Sequence, residues 1–467
     1  VIRIAKEAIK RGYSLRPFQE EGVNSLINSP SSHNYLADAM GLGKSIQALA
    51  YANAIGAESL LIICPASLRL NWLREASIWY DVSKPPGHAI LKAKDVTEIE
   101  RKNQFVKGYM PSPLIVSYDL MANNANVQRY IFKRNWNLVV IDEAHAIKNL
   151  MSKRTQACLS LWDKVPRVLL LSGTPMTTTA LDLFPPLYMI VKELDYLHDE
   201  DYTVCSDFES FTEHFTYIYN TPFGIQYKGA RNVEHLKSIL RERGKFFIRR
   251  TKEQVLKDLP EKTYSRVDLD LTISGGLKGE ALDSFCKSFS DSETSEREVV
   301  GKVKKHFATF RRELGEAKAS CKETYDIIDS IIAEEDCCVV FFYHRSVRDI
   351  LKEELRKRKY KVALHDGATS AILKQKAVDD FQSGRVDILL AQAESAQGYT
   401  ATAASSCVFI EYPWLSTQVN QAVDRIHRMG QLNAVVAYFV VSTNSFDREL
   451  VRMIIQKQKM IDKVLGD

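Results

Sequence analysis

The 467-residue chain lacks most marks of a secreted, membrane-bound or zinc-built protein. No run reaches the roughly 18 apolar residues that cross a bilayer. Its opening, "VIRIAKEAIKRGYSL", has charge but no apolar core, so it does not read as a secretory signal. It also has no initiator Met, so the numbering need not begin where the gene does. None of the 8 cysteines stands in a C-x-x-C pair, and Cys337 and Cys338 are adjacent within an apolar run. Buried free thiols in a reducing compartment are therefore expected, rather than a metal site or a disulfide framework. No zinc-finger spacing and no separate helix-turn-helix signature is present, so no base-reading module is expected.

What is there fits a globular protein. The hydrophobic fraction is 45% and the charged fraction 26%. The length suggests roughly two to three domains. A net charge of +5 permits a nucleic-acid partner without showing one.

Short apolar strands alternate with helical stretches, the pattern of parallel α/β layers. "LLIICP" (60–65), "LIVSY" (114–118), "NLVVIDEAH" (137–145) and "RVLLLSGTP" (167–175) each end in small, polar or charged residues. Parallel sheets place chemistry at the C-terminal ends of their strands. Those four endings are expected along one sheet edge. After Pro175 the chain becomes aromatic-rich and mostly helical, with "PFGIQYKG" as a hairpin or loop. The Ser- and Glu-rich "SFSDSETSERE" (287–297) reads as a solvated linker or helix start. "CCVVFFYHR" (337–345), "KVALHDG" (361–367), "VDILLAQ" (386–392) and "SSCVFIEYP" (405–413) then supply a second strand series.

"ADAMGLGKSIQALAYANAI" (37–55) has the form of a phosphate-binding loop opening into a helix. Glycines Gly41 and Gly43, with Leu42 between them, let backbone N–H groups approach phosphate oxygens. Lys44 would reach the β- and γ-phosphates, and Ser45 would ligate Mg²⁺. Asp38 stands where the general motif has its first glycine. About one hundred residues on, "VVIDEAH" places two carboxylates at a strand end. Asp142 would hold Mg²⁺, and Glu143 would position and deprotonate the attacking water. In "QVNQAVDRIHRMGQ" (418–431), Arg425 and Arg428 are three apart and would share a helix face, as arginine fingers or as a solvated basic helix.

The ordered set "LRPFQEEGVNSL", "DAMGLGKS", "ICPASLRLNW", "IVSYDL", "VVIDEAHAIKN", "LLLSGTPM", "FFIRRTKEQVLKDLPEK" and "QAVDRIHRMGQ" resembles the Swi/Snf-type ATPases of helicase superfamily two. "FRRELGEAKA" (310–319), "FIEYPW" and "DRIHRMGQ" look most like the annealing-helicase (HepA-related) subgroup. The resemblance implies two RecA-like parallel-sheet lobes in tandem with a helical insertion between them. Lobe 1 would be residues 1–180, the insertion 181–265, a linker and helical brace 266–320, and lobe 2 residues 321–467.

It also implies roles. Gln19 should contact the adenine base. Ser172 and Thr174 should link hydrolysis to lobe movement, with His145 coupling the ATP site to the nucleic-acid face. Gln421, Arg425 and Arg428 should complete the site from the second lobe. Ser67, Arg69, Ser117 and Tyr118 should face one DNA strand. Two departures stand out: Ala39 replaces the usual Glu, and "AQAESAQGYTATAA" (391–404) lacks the usual Gly-Gly pair and the basic residue before it. Gly398 and Thr400 of that loop remain, Gly398 with a coupling role and Thr400 as a nucleic-acid contact.

Two basic runs are either DNA-backbone contacts or solvated faces. One is Arg241, Arg243, Lys245, Arg249, Arg250 and Lys252; the other is Lys302, Lys304, Lys305, Arg311 and Arg312. Phe246 and Phe247, inside the first run, are expected to pack rather than stack on bases.

The function expected is a DNA-dependent ATPase using ATP and Mg²⁺, moving on duplex or branched DNA and remodelling forks or annealing strands. It would act as a monomer inside the cell, with no membrane partner. Its compartment would be the cytoplasm if prokaryotic or phage, and the nucleus if eukaryotic. An RNA helicase or RNA-polymerase-recycling translocase is the enzymatic alternative. A DNA-binding scaffold without turnover is the other.

Overall fold

Runs of four or five apolar residues, too short for helices and bounded by turn residues, set the strands. The computed structural model describes residues 2, 4–81, 87–105, 110–192, 194, 199–221, 224–243, 245–271, 309, 311–393, 399–413, 415–442 and 446–465. The chain divides into two units, Val1–Lys257 with Ile461–Asp467, and Asp258–Met460.

Unit 1 carries β1 (His33–Leu36), β2 (Leu60–Cys64), β3 (His88–Ala89), β4 (Leu114–Ser117), β5 (Leu138–Asp142), β6 (Val168–Leu171), β7 (Tyr217–Thr221), β8 (Gly224–Lys228) and β9 (Phe247–Ile248). Seven of them form a parallel sheet in the order β3-β4-β2-β5-β6-β1-β9. β2, β4, β5 and β6 are buried along their whole length. Such strands are covered by helices on both faces and so read as unbroken apolar runs. The four strand endings expected on one edge do lie together in this sheet. β7 and β8 pair as an antiparallel hairpin of their own.

β9 is only two residues long, but the chain around it continues along β1. The Tyr35, Ala37 and Ala39 N–H groups donate to the Phe246, Ile248 and Arg250 carbonyls at 2.8, 2.7 and 2.9 Å. The segment that closes the insertion thus runs beside the strand that feeds the phosphate loop.

Unit 2 carries β10 (Lys262–Leu269), β11 (Cys338–Phe342), β12 (Val362–His365), β13 (Ile388–Gln392), β14 (Ser406–Phe409) and β15 (Val435–Ser442). They form a parallel six-stranded sheet in the order β10-β15-β14-β11-β13-β12. Strand alternation sends Val339 and Phe341 into one core, and Cys338, Val340 and Phe342 into the core on the other face. All eight strand runs singled out in the sequence are strands, and the α/β class with two parallel-sheet lobes holds. In this second sheet β10 and β15 are additions to that set. Six of the seven described cysteines are buried, and all seven are free thiols.

Residues 311–320 are helical, and one face of that helix is buried in unit 2. Arg311, Leu314 and Lys318 are 7%, 2% and 2% exposed. Lys318 Nζ donates to Asp447 Oδ2 at 2.9 Å and to the Val440 carbonyl at 3.1 Å. The Arg311 guanidinium lies over the Tyr343 ring at 4.1 Å and donates to the Tyr412 carbonyl. Spacings of three and four put these residues on one face. The run from Lys302 to Arg312 is therefore no uniform basic stripe: Arg311 is internal, Arg312 pairs with Glu316 at 3.5 Å, and Lys302, Lys304 and Lys305 lie outside the described residues. So do "SFSDSETSERE" and Trp414 of "FIEYPW".

Gly315 sits at the tightest point of this contact. A Cβ there would meet Glu411 Oε1 at 2.6 Å and Val347 Cγ2 at 2.9 Å. Glu411 cannot swing aside cheaply, since it holds His344 Nδ1 at 2.6 Å and the Tyr343 and His344 N–H groups at 2.8 Å each. Gly315→Ala gains about 1 kcal/mol of helix propensity but overpacks the contact at about 1–3 kcal/mol and disturbs a charge-assisted bond. The prediction is a net loss of roughly 1–3 kcal/mol in urea unfolding. An unchanged or higher midpoint would contradict it.

Candidate active site

The phosphate loop is shaped by glycine. Gly41 and Gly43 have φ of +84° and +75°, in the left-handed region that favours glycine. Gly43 then caps the helix Lys44–Ala54. A Cβ on Gly43 would meet Gln19 Nε2 at 2.4 Å. Gln19 is buried, accepts from the Arg16 N–H at 3.0 Å and donates to the Leu42 carbonyl at 3.2 Å. Leu42 has a fully buried side chain, so only its backbone can serve a ligand. Lys44 Nζ donates to the Asp38 and Ala39 carbonyls at 2.8 and 3.3 Å. Burial lowers the Lys44 ammonium from its ordinary range, against attraction from Glu143, Asp38 and Asp142. Ser45, at the next position, is half-buried.

Asp38 turns out to be a hub. Its carboxylate is fully buried. It accepts from Arg250 Nε at 3.0 Å, Arg250 Nη2 at 2.5 Å, the Arg250 N–H at 3.1 Å and Gln47 Nε2 at 3.0 Å. Arg249 donates to the Ala37 carbonyl at 2.8 Å, and Lys252 is 5% exposed. The first basic run is thus neither a DNA face nor a solvated one at these three positions. Arg249 and Arg250 brace the phosphate loop. Phe246 and Phe247 are buried, as expected.

The second half of the site hangs from β5. Asp142 Oδ2 accepts from Trp72 Nε1 at 2.7 Å, and Oδ1 accepts from the Glu143 N–H at 2.9 Å. Burial and the neighbouring Glu143 push the Asp142 carboxyl well above the usual carboxylate range, against the Trp72 bond and Lys44. Glu143 adopts φ +52°, ψ +52°. A non-glycine residue in this region costs roughly 1–3 kcal/mol, and such strain gathers at functional sites. The Tyr118 hydroxyl steadies the turn, donating to the Asp142 carbonyl at 2.6 Å. His145 Nδ1 lies 3.3 Å from both Glu143 Oε2 and Ser172 Oγ. Ser172 Oγ also accepts the Thr174 N–H at 3.1 Å. The expected water-activating, coupling and threonine residues therefore form one connected chain.

Other expected site residues are placed as follows. Ser117 is buried and caps the helix Tyr118–Asn123, and Tyr118 is 3% exposed. Both hydroxyls are turned to structural tasks inside unit 1. Ser67 is exposed, while Arg69 is half-buried and donates to the Ala66, Ile90 and Leu91 carbonyls. In unit 2 the helix carrying Gln421 ends at Val423. Arg425 and Arg428 are therefore not on a helix face. The Arg425 and Ile426 N–H groups reach back three residues, to the Ala422 and Val423 carbonyls, and tighten the turn. His427 and Gln431 then tie it down through the Pro260 and Ala404 carbonyls. Both arginines remain half-exposed, and Arg428 Nη1 donates to Thr400 Oγ1 at 2.8 Å. Gly398 lies outside the described residues.

Comparison with known proteins identifies the family. Residues 18–275 match the SNF2-related domain, and residues 323–430 match the helicase conserved C-terminal domain. The chain belongs to the SNF2-related family. It is 30% identical over 456 residues to the SWI/SNF-related matrix-associated actin-dependent regulator of chromatin subfamily A-like protein 1 of Drosophila melanogaster, covering 96% of this chain and 56% of that protein. It is 27% identical over 462 residues to the human DNA annealing helicase and endonuclease ZRANB3, covering 97% of this chain and 40% of that protein. A solved chain described as the Sulfolobus solfataricus SWI2/SNF2 ATPase core in complex with dsDNA aligns at TM-score 0.42 and 20% identity, over 97% of this chain and 93% of that one. The chain spans about half the length of the curated relatives it matches. The resemblance read from the motifs, including the annealing-helicase subgroup, is borne out. Helicase-like ATPase domains of this kind use ATP.

Several site residues of this SNF2-related chain escape sequence reasoning. Trp72 sits in the quoted "LRLNW", but nothing in one sequence says that its N–H meets Asp142. Arg250 reads as surface charge because its partner is 212 positions away. Gly173 had a faint signal in "SGTP": a Cβ there would strike Met40 Cγ at 2.4 Å and approach Lys44 Nζ at 3.2 Å.

Removing Asp38 would leave the part-buried Arg250 without its counter-charge. Asp38→Ala should cost unit 1 about 3–5 kcal/mol in chemical unfolding, and Asp38→Ala with Arg250→Met should recover most of it. Equal losses in the single and double variants would contradict the pairing.

Proposed function

We propose that the chain is the motor core of a DNA-stimulated ATPase that moves on duplex or branched DNA. The observation that carries this reading is the connected set Glu143–His145–Ser172–Thr174 beside a glycine-shaped loop. It joins a hydrolytic residue to a separate strand end. The name of the ZRANB3 relative, a DNA annealing helicase, favours DNA over RNA as the polymer.

The residues fit ATP. The left-handed glycines and the start of the 11-residue helix Lys44–Ala54 form an anion cradle. Lys44 would exchange the Asp38 and Ala39 carbonyls for phosphate oxygens. Gln19, fixed at Leu42, would meet the adenine at the loop's flank. The residues also fit Mg²⁺, a hard ion that prefers oxygen donors. Ser45 Oγ and Asp142 would hold it, and each Asp142 oxygen accepts one bond and keeps a lone pair for the ion or its water. Bound there, the ion would offset phosphate charge.

Glu143 would orient the attacking water and take its proton. Protonation of Glu143 removes the negative charge facing His145. His145, which lies against both Glu143 and Ser172, would then be left with Ser172 alone, and the Ser172–Thr174 bond would pass the change to the loop after β6. Gln421, Arg425 and Arg428 are the unit 2 groups proposed for the nucleotide, with both arginines supplying charge to the transition state. On the DNA side Ser67 and Arg69 of unit 1 and Thr400 of unit 2 are the proposed backbone contacts. Gly398 keeps its proposed coupling role. Among the described residues no helix is long and apolar enough to cross a membrane.

Steady-state ATPase rates with duplex, forked and single-stranded DNA and with RNA test the proposal. DNA should stimulate, and forked or duplex DNA should exceed RNA. Glu143→Gln should bind ATP normally and lose about 10²–10⁴ in turnover. Stimulation by RNA alone, or by no nucleic acid, would overturn the DNA assignment.

A further inference from the structure

Trp72 has no role assigned beyond packing, yet it makes the bond that fixes Asp142. It is 1% exposed, on the helix Arg69–Trp79 that follows β2. A buried indole N–H needs an acceptor, and here the acceptor is Asp142 Oδ2 at 2.7 Å rather than a backbone carbonyl. The other oxygen is held by the Glu143 N–H at 2.9 Å. The Tyr118 hydroxyl fixes the Asp142 carbonyl at 2.6 Å. Backbone and both carboxylate oxygens are thus each tied by one donor.

The torsion that turns an aspartate carboxylate is broad and roughly two-fold. The Glu143 N–H is a neighbour in sequence and would follow a rotating carboxylate only in part. Trp72 comes from 70 residues away and is packed in the core, so it sets the plane. With one lone pair on each oxygen occupied, the remaining pairs face a defined direction. A metal ion or its coordinated water needs that direction fixed.

We infer that Trp72 is a positioning residue for Mg²⁺ at the nucleotide site, acting through Asp142. This rests on the ATP and Mg²⁺ reading proposed above. Partners that orient a metal-binding carboxylate typically contribute about 10–100-fold in metal affinity. A Trp72 that only packed would affect stability but not the Mg²⁺ requirement.

The test uses the full chain and Trp72→Phe, with Trp79→Phe as control. Trp79 lies on the same helix, is 7% exposed and stacks on Tyr13 at 5.9 Å. Binding of a fluorescent ATP analogue is titrated with Mg²⁺, and thermal unfolding is recorded without ligand. W72F should bind the analogue without Mg²⁺ as wild type does. Its half-saturating Mg²⁺ should rise by about ten-fold or more, while W79F keeps the wild-type value. Should W72F not fold, 3-benzothienylalanine at position 72 keeps the bicyclic ring and replaces the N–H donor with sulfur. A Mg²⁺ dependence equal to wild type in the folded variant overturns the inference and leaves the ATP reading standing. Wild-type chain that binds no nucleotide with Mg²⁺ overturns the ATP reading itself.

Discussion

The buried pair between Asp38 and Arg250 is the constraint on which the first unit depends. One carboxylate, with no solvent exposure, takes bonds from the Arg250 side chain, the Arg250 backbone and Gln47. It thereby welds three pieces together: the phosphate loop, the helix after it and the strand that closes the insertion. Gly22 leaves room for the knot, since a Cβ there would strike Gln47 Oε1 at 2.1 Å and Arg250 Nη2 at 2.3 Å. A buried ion pair contributes little net stability against an apolar replacement, but breaking one side is costly. Its value here is register. Residues 246–250 lie along β1 and hold Asp38 at the base of the loop. Residues 246–250 are in this sense part of the support of the loop.

Much of the fold was legible because the central strands of a parallel sheet are apolar on both faces. "LLIIC", "LVVID" and "CVVFF" announce themselves in one sequence. β10 does not, because its residues 262–269 are mostly half-buried or exposed and lean on β15 through backbone bonds. β9 is too short to show any period. The proposed hydrolytic residues are suggested by type and spacing, since glycine, lysine and paired carboxylates have few other reasons to stand in that order.

What stayed hidden is tertiary. Asp38 looked like a flaw in the loop motif and proved to be its anchor. Arg249 and Arg250 looked like part of a surface stripe because their partners are remote in sequence, and Lys252 because its burial is tertiary. Ser117 and Tyr118 carry hydroxyls at a strand end, which suits a ligand face and equally suits a helix cap and a brace on Asp142. Arg425 and Arg428 have helical spacing, but the helix ends before them because His427 and Gln431 are drawn to carbonyls outside it. Unit 2 uses the same economy of charge, with Lys318 and Asp447 paired in its interior and Arg311 stacked on Tyr343. In both units, charged residues that look external in the sequence hold the segments around the proposed motor parts.

The central claim is that ATP turnover drives movement along duplex DNA, and strand separation is not required for it. The most direct measurement is displacement of a third strand from a triplex placed ahead of the protein on linear duplex. Release that needs ATP, and that Glu143→Gln abolishes, is the predicted result. A chain that hydrolyses ATP with duplex DNA yet leaves the third strand in place would contradict it.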